Sequence, residues 1–315
     1  MRWGYAAAPS DGTRLFYEDD AAISRRDAGR PRRDASDAGP EVSADPRTPV
    51  LLCDGIGCDG YVWRYLRAAL APRRRLHPHY RGHGRSQPPR VADRVDVADL
   101  ADDQVAVLDD ADVGAAVWVG HSMGVQVALE AWHRHPDRVA ALVLVCGAPG
   151  HPLRSFRGAD TLEQLLPTIE RWVLRAPGVI NLLSRRVLPT RLALEIAGRL
   201  EINRELVAAE DFMPYLEGMA RMDVRTFVAM LAAAGRHTAA PYLPTVEVPV
   251  LVVAGARDGF TPVDRSREMI AQIPGCEELI IDDGSHTAPI ERPERIDDAI
   301  VDFLARRVDG KIPKR

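Results

Sequence analysis

Residues 116–124 read Ala-Val-Trp-Val-Gly-His-Ser-Met-Gly, and this stretch decides how the sequence folds. The apolar run 116–119 predicts a strand that is covered on both faces. The Gly-x-Ser-x-Gly pattern of 120–124 follows it and leads into a helical pattern over 125–133. A serine on a sharp strand-to-helix turn projects its hydroxyl above the sheet, and flanking glycines relieve the crowding. The stretch therefore predicts a strand–turn–helix unit with Ser122 as a candidate nucleophile.

Further apolar runs and helical patterns alternate along the chain. Continuous apolar runs, rather than alternation with polar residues, are typical of strands in a parallel sheet. The runs are 50–53, 141–145, 250–253 and the weaker 278–281, and the helical patterns include 97–111 and 293–306. Alternating strands and helices predict an α/β fold with a mostly parallel, doubly wound sheet.

The N-terminal part is predicted to contain a hairpin and an insertion. Residues 1–19 have two strand-like segments around Ser10-Asp11-Gly12, a turn in which glycine supplies a positive φ. Residues 20–49 are rich in charged residues and contain almost no large apolar side chain. Such a segment cannot bury enough surface to offset its ordering entropy, so we predict a disordered insertion there. A docking tail is the functional alternative.

The remaining chain is predicted to form a core that a helical segment interrupts. Residues 50–151 and 245–307 contain the alternating strands and helices and would form the two parts of the core. Residues 152–244 contain no convincing strand but have apolar residues at helical spacing, broken by prolines. We expect this segment to form a helical cap over the carboxyl edge of the sheet, and 308–315 to be a tail.

Charge and cysteine content narrow the function classes. With 315 residues and a formal net charge of -4, the chain lacks the basic footprint of a dedicated nucleic-acid binder. The four cysteines form no zinc-binding pattern, so no metal is expected. The first ten residues lack the apolar segment of a signal peptide, and the longest apolar stretch, 139–145, is too short to span a membrane. The default expectation is a cytoplasmic protein with reduced thiols.

A serine hydroxyl is a weak nucleophile and needs a base, which in turn needs an orienting carboxylate. His286 is the best candidate base, because it lies in the turn between the last apolar run and the last helical pattern. His83 lies in a loop that could also approach the site, whereas the His121 side chain is expected to point away from the serine hydroxyl. Asp258 follows the run 250–253 and is the candidate acid. The order Ser122, Asp258, His286 matches one known triad architecture.

These pieces together resemble the α/β-hydrolase superfamily, in particular its capped "alpha/beta hydrolase-1" type. The resemblance covers roughly 1–18 and 48–307. The matching pieces are Asp54-Gly55, Arg81 to Ser86, Gly120 to Gly124, Gly255 to Pro262 and Gly284 to His286. The resemblance implies that the backbone N–H groups of Ile56 and Met123 form the oxyanion hole.

The chain departs from the family pattern at two places. Members usually carry His-Gly where this chain has Asp54-Gly55, which places an acid near the expected oxyanion hole. The stretch 76–80 also lacks the aspartate that commonly precedes the Arg-Gly-His-Gly segment.

The leading functional expectation is a serine hydrolase that forms an acyl-enzyme and needs no cofactor. The predicted cap is strongly apolar and contains four of the seven methionines, which suit an adaptable apolar pocket. A small-molecule ester, thioester or lactone with a hydrophobic part is therefore the expected substrate. Candidate substrate contacts are Asp54, His121, Met213 and Met219. A C–C bond hydrolase, a perhydrolase or a non-catalytic ligand-binding protein of this fold remain alternatives, and the oligomeric state is open.

Overall fold

Eight strands form one sheet in the computed structural model, which describes residues 2–20, 45–154, 161–200, 207 and 209–310. The strands are β1 (Arg2–Ala7), β2 (Arg14–Asp20), β3 (Val50–Cys53), β4 (Arg75–Pro78), β5 (Ala116–His121), β6 (Val139–Val145), β7 (Val250–Gly255) and β8 (Glu277–Ile281). Their order across the sheet is β1-β2-β4-β3-β5-β6-β7-β8. β1 pairs with β2 and β2 with β4 in antiparallel fashion, and all later pairs are parallel. This confirms the predicted fold class.

Helices cover both faces of the sheet. They are α1 (Leu66–Ala69), α2 (Val97–Asp110), α3 (Met123–Arg134), α4 (Thr161–Arg175), α5 (Pro177–Val187), α6 (Arg191–Leu200), α7 (Ala209–Arg221), α8 (Val224–Arg236), α9 (Val263–Gln272), α10 (Ala288–Glu291) and α11 (Pro293–Arg307). Between β6 and β7 the described residues contain helices, short 3₁₀ turns and one isolated bridge, but no further strand of the sheet. We call α4–α8 the inserted helices. They lie within 152–244, the range predicted for a cap, and the domain boundaries stay a prediction.

All five predicted apolar strands are present, and β4 is a strand that the sequence pattern missed. Its sequence Arg-Leu-His-Pro contains only one aliphatic residue. Leu76 and His77 are nevertheless buried, because β4 lies between β2 and β3. The neighbouring strands, rather than its own apolar pattern, define this strand.

The predicted hairpin is present, but its second strand extends to Asp20, which pairs with Arg75. The expectation of disorder over 20–49 is therefore wrong at both ends. The Arg73 guanidinium donates to the Thr48 carbonyl at 2.8 Å, which anchors the chain just before β3. The rest of that prediction, 21–44, lies outside the described residues.

The core consists of two apolar layers, one on each face of the sheet. In β5, Trp118 packs in the layer under α2 and α3, whereas Val117 and Val119 pack in the layer that contains α11 residues such as Phe303. Every residue of β5 is buried. This explains why the strand is a continuous apolar run, since both of its faces need apolar side chains.

The topology brings the candidate residues to one edge of the sheet. Ser122 follows β5, Asp258 follows β7 and His286 follows β8. Because these three strands are parallel, their carboxyl ends meet at the same edge, where sites form in open α/β sheets. Across the described ranges, no helix is long and apolar enough to cross a membrane.

Candidate active site

Ser122 occupies a strained turn that only small neighbours permit. Its φ of 55° and ψ of -117° lie in a region that residues with a side chain rarely adopt. A Cβ on Gly120 would lie 2.3 Å from the Gly124 carbonyl oxygen, and one on Gly124 would lie 2.2 Å from the Cys53 carbonyl oxygen. Both glycines of the Gly-x-Ser-x-Gly pattern are therefore required by backbone contacts. α3 begins at the next residue and directs its first N–H groups toward the same region.

His286 links Ser122 to Asp258. Its Nε2 lies 3.0 Å from the Ser122 hydroxyl oxygen, and its Nδ1 lies 2.9 Å from Asp258 Oδ2. The Asp258 side chain is 1% exposed and that of His286 is 13% exposed. The three residues thus form a chain of hydrogen bonds that runs from a buried carboxylate to a hydroxyl at the sheet edge. This arrangement can remove a proton from the hydroxyl as it attacks.

The Asp258 carboxylate is fixed by its own loop. Its Oδ1 accepts hydrogen bonds from the backbone N–H groups of Phe260 and Thr261, both at 2.8 Å. The Thr261 hydroxyl lies 2.8 Å from Oδ2. These contacts direct the second oxygen toward His286, and they explain why the acid lies in a tight turn after β7.

A buried glutamate holds the loop that carries His286. Glu291 in α10 accepts a hydrogen bond from the Ser285 backbone N–H at 2.6 Å and from the Thr287 hydroxyl at 2.9 Å. It is 3% exposed. The residues on both sides of His286 are therefore tied to one carboxylate, which positions the imidazole. The sequence analysis missed Glu291. The sequence feature that could have indicated it is the glutamate four residues after the Ser285-His286-Thr287 segment.

The turn after β3 faces the elbow and contains Ile56. A Cβ on Gly55 would lie 3.1 Å from Ser122 Cβ, so this turn approaches the serine closely. The Gly57 N–H donates to His83 Nε2 at 2.9 Å. Burial lowers the pKa of His83, which keeps the ring neutral and able to accept this bond. His83, considered above as an alternative base, thus holds the turn after β3.

Asp54 does not contact the substrate region, so the expectation that it would is wrong. It is 1% exposed, and its oxygens lie 2.7 Å from Trp63 Nε1 and 2.8 Å from His77 Nε2. Burial lowers the pKa of His77, but the charge of Asp54 and hydrogen bonds to Asp54 and Glu18 outweigh it and raise that pKa to about 9. Burial also raises the pKa of Asp54, but the charge of His77 and the hydrogen bonds from His77 and Trp63 together outweigh it and lower that pKa. The two groups form a buried ion pair beneath the turn.

His121 lies beside the catalytic candidates. Its Nε2 donates to the His286 carbonyl at 2.9 Å. Burial, with the charge of His286 as a smaller cause, lowers the pKa of His121 to about 4, so the ring is neutral near pH 7. The side chain forms part of the wall of a small cavity that Ser122 also lines, and its contact with a substrate stays a prediction.

A large apolar cavity lies above Ser122 and has a volume of about 510 Å³. Its walls come from the elbow and from the inserted helices, and they include Leu192, Ile196, Leu216, Met219, Phe227 and Leu231. Of the two candidate methionines, Met219 lines this cavity. Met213 is not part of its wall and packs against the second core layer, which corrects the expectation for that residue. Two residues of one helix face different environments because they are six positions apart, which turns them by well over 90°.

A second cavity, of about 50 Å³, also has Ser122 in its wall. Its lining includes the aromatic residues Tyr61, Phe212 and Tyr215 together with His121 and His286. No group of three or more His, Cys, Asp or Glu side chains is placed to hold a metal ion in the part of the chain that the structure describes.

A family model described as alpha/beta hydrolase fold matches residues 48–293. The chain belongs to the alpha/beta hydrolase family. It is 31% identical over 267 residues to RutD of Caulobacter sp. (strain K31), which carries the name of a carbamate hydrolase. That alignment covers 83% of this chain and 92% of the relative.

Other relatives of this alpha/beta hydrolase carry different activities in their names. Epoxide hydrolase A of Mycobacterium tuberculosis is 29% identical, with 83% of this chain and 92% of the relative covered. The dihydrolipoyllysine-residue acetyltransferase component of the acetoin cleaving system of Pseudomonas putida is 28% identical, and the chain spans only 66% of its length while 84% of the chain is covered. A solved enol-lactonase from Burkholderia xenovorans LB400 superposes with a TM-score of 0.69 at 23% identity, covering 96% of this chain and all of that one. The structural likeness shows the fold alone.

Proposed function

We propose that this alpha/beta hydrolase is a serine hydrolase that cleaves an ester, thioester or lactone with a hydrophobic part. The observation that carries the proposal is the position of His286, within hydrogen-bond distance of both Ser122 and Asp258. A nucleophile, a base and an orienting carboxylate in this relation are the components of covalent acyl transfer.

In the proposed mechanism, Ser122 attacks the substrate carbonyl while its proton passes to His286 Nε2. The backbone N–H groups of Ile56 and Met123 are positioned by the β3 turn and by the start of α3, and they would stabilise the oxyanion. Asp258 stabilises the imidazolium that forms. The leaving group takes the proton from His286, and a water molecule then hydrolyses the acyl-enzyme by the same steps.

The relatives' names include epoxide and carbamate hydrolases, so they do not select one bond type. Two features of this chain favour acyl substrates with an apolar part. The candidate nucleophile at the elbow is a serine. When it attacks a carbonyl, the histidine of a triad can first accept the serine proton and then donate it to the leaving group. The cavity above it is lined almost entirely by apolar side chains, which favour burial of apolar substrate surface.

The test combines active-site labelling with turnover. The wild type, Ser122→Ala and the matched control Ser184→Ala in α5 are treated with a fluorophosphonate probe and assayed on a panel of esters, thioesters and lactones. We expect labelling and turnover in the wild type and in the control, and loss of both in Ser122→Ala with unchanged folding. Full activity in Ser122→Ala would refute the covalent mechanism. Labelling without turnover of any substrate would favour the ligand-binding alternative.

A further inference from the structure

The two cavities beside Ser122 differ in the residues that line them. They share Ile56, Ser122, Tyr215 and Phe260, so they meet at the nucleophile. A substrate whose carbonyl carbon lies at Ser122 can therefore place one of its two substituents in each cavity. Which substituent enters which cavity depends on the position of the proton donor.

His286 and Thr287 line the small cavity, whereas Met123 lines the large one. The leaving-group oxygen must accept a proton from His286 Nε2, which requires a distance of about 3 Å. It must therefore lie on the side of the small cavity. The other substituent of the carbonyl carbon, the acyl chain, then occupies the large cavity.

We infer that the substrate is a neutral ester of a long apolar acid and a small alcohol, with the acyl chain in the large cavity and the alcohol in the small one. This inference rests on the proposed function. As the ester reacts, the bond from Ser122 Oγ to the acyl carbon forms and the bond from that carbon to the alkoxy oxygen breaks. The serine proton passes through His286 to the departing oxygen and releases the alcohol. Water then cleaves the acyl-enzyme and restores the serine proton.

The volumes limit the size of each substituent. A group the size of a water molecule needs roughly 10–15 Å³ of cavity volume. The small cavity, with about 50 Å³, therefore holds about three to five non-hydrogen atoms. This corresponds to a methyl to propyl alcohol. The large cavity has about ten times that volume, with about 510 Å³. An acyl chain of eight or more carbons fits there.

The end of the small cavity is closed by packed aromatic rings. The Tyr61 ring centroid lies 5.9 Å from that of Phe212, and the Phe212 centroid lies 5.2 Å from that of Tyr215, both in edge-on contacts. Phe212 is 1% exposed, so this wall cannot move outward without opening the interface between α7 and the core. A longer alcohol should therefore be excluded.

Both cavities favour neutral substituents. The lining of the large cavity includes no Asp, Glu, Lys, Arg or His side chain among the described residues. In the small cavity, His121 is neutral near pH 7, and its wall contains no Asp, Glu, Lys or Arg within the described ranges. A charged acid chain in the large cavity, or a cationic alcohol in the small one, would be buried without a partner of opposite charge, which is unfavourable.

Two isomeric esters test the assignment directly. Methyl decanoate and nonyl acetate have the same composition and nearly the same hydrophobicity, but they place the long chain on opposite sides of the carbonyl. We expect kcat/KM for methyl decanoate to exceed that for nonyl acetate by at least about thirtyfold, because each buried methylene contributes up to about fourfold. Equal rates, or faster cleavage of nonyl acetate, would overturn the inference.

Variants of each wall sharpen the test. Phe212→Ala should enlarge the small cavity and reduce the preference for methyl over butyl decanoate. Leu231→Trp should lower kcat/KM for methyl decanoate at least tenfold more than for methyl acetate. Leu183→Ala, an exposed residue of α5 outside both walls, is the matched control and should leave the isomer ratio unchanged. If either wall variant leaves its ratio as in the wild type, the assignment of that cavity is wrong.

Fluorophosphonate labelling separates the two proposals. If Ser122 is labelled and other esters or thioesters are cleaved while the two isomers react equally, the assignment of the cavities fails and the proposed function stands. If Ser122 is not labelled and no acyl substrate is cleaved, the proposed function itself fails, and this inference fails with it.

Discussion

The parallel sheet and the inserted helices use their apolar side chains in different ways. Every residue of β3 and β5 is buried. In α4–α6, by contrast, ten large apolar side chains are between 40% and 68% exposed. They are Leu165, Ile169, Trp172, Leu174, Val179, Leu182, Leu183, Val187, Leu192 and Ile196. The sheet fixes its side chains from two faces, whereas these helices are held mainly along one face. We infer that the sheet holds the candidate site residues in position, whereas the inserted helices determine the shape of the large cavity.

The largest expected difference concerns catalysis. Asp258→Asn at the sheet edge should lower kcat by about 10⁴, because an amide favours the wrong tautomer of His286. Met219→Ala on the cavity wall should change the preferred acyl chain length and alter kcat less than about tenfold, since uniform binding affects mainly KM. Steady-state kinetics on an ester series measures both. A similar loss of kcat in the two variants would remove the distinction between the regions.

The second comparison uses the same substitution in both regions. Leu129 in α3 is fully buried in the core, whereas Leu183 in α5 is 55% exposed. Leu129→Ala should lower the free energy of unfolding by about 2–5 kcal/mol through lost burial and a cavity. Leu183→Ala should change it by less than about 0.5 kcal/mol. Chemical denaturation gives both values, and a large loss for Leu183→Ala would mean that this face is covered in solution.

The third comparison uses glycine. A Cβ on Gly124 would lie 2.2 Å from the Cys53 carbonyl oxygen, whereas one on Gly178 in α5 would meet no atom within 4 Å. Gly124→Ala should therefore lower the free energy of unfolding by about 1–3 kcal/mol and reduce activity, because the backbone must shift beside Ser122. Gly178→Ala should raise it by up to about 1 kcal/mol through lower entropy of the unfolded chain. Thermal unfolding and an activity assay on both variants test this comparison. Unchanged stability and activity in Gly124→Ala would contradict the predicted clash with the Cys53 carbonyl oxygen.

The last comparison concerns the pH dependence of the stability of the core. The pKa of His77 is raised from 6.5 to about 9 in the folded protein, so folding favours its protonated form. The stability that this adds is fully present below about pH 6.5 and is lost as the pH rises through about 9. The melting temperature should fall over that window.

The double variant His77→Gln with Asp54→Asn is the control for this titration, because it replaces the ion pair by two amides of similar shape. Its melting temperature should be flatter over the same window than that of the wild type. An equal fall in both proteins would assign the pH dependence to other groups.

The predictions from sequence succeeded where a residue's surroundings follow from its own strand or turn. The five apolar runs became β3, β5, β6, β7 and β8. The candidate triad came together because parallel strands place their carboxyl ends at one edge. The predictions failed for β4 and Asp54, whose environments come from other parts of the chain. Asp54 reads as an acid near the oxyanion turn, but its role is determined by His77 and Trp63.

Sequence alone thus determined the fold class, the turn at Ser122 and the choice of Asp258 and His286 as its candidate partners. The period of the apolar residues, the spacing of the glycines and the order of the motifs can be read directly from the sequence. Each of them restricts the conformations that the backbone can adopt. Only the tertiary structure decided the distances within the site, the buried ion pair of Asp54 and His77, the surroundings of Met213 and Met219, and the unequal volumes of the two cavities beside Ser122. The physical reason is that these features join residues far apart in the chain, such as Ser122 and His286, which are separated by 164 positions. Their contact depends on how the sheet and the helices pack, and no local pattern of side chains records that packing.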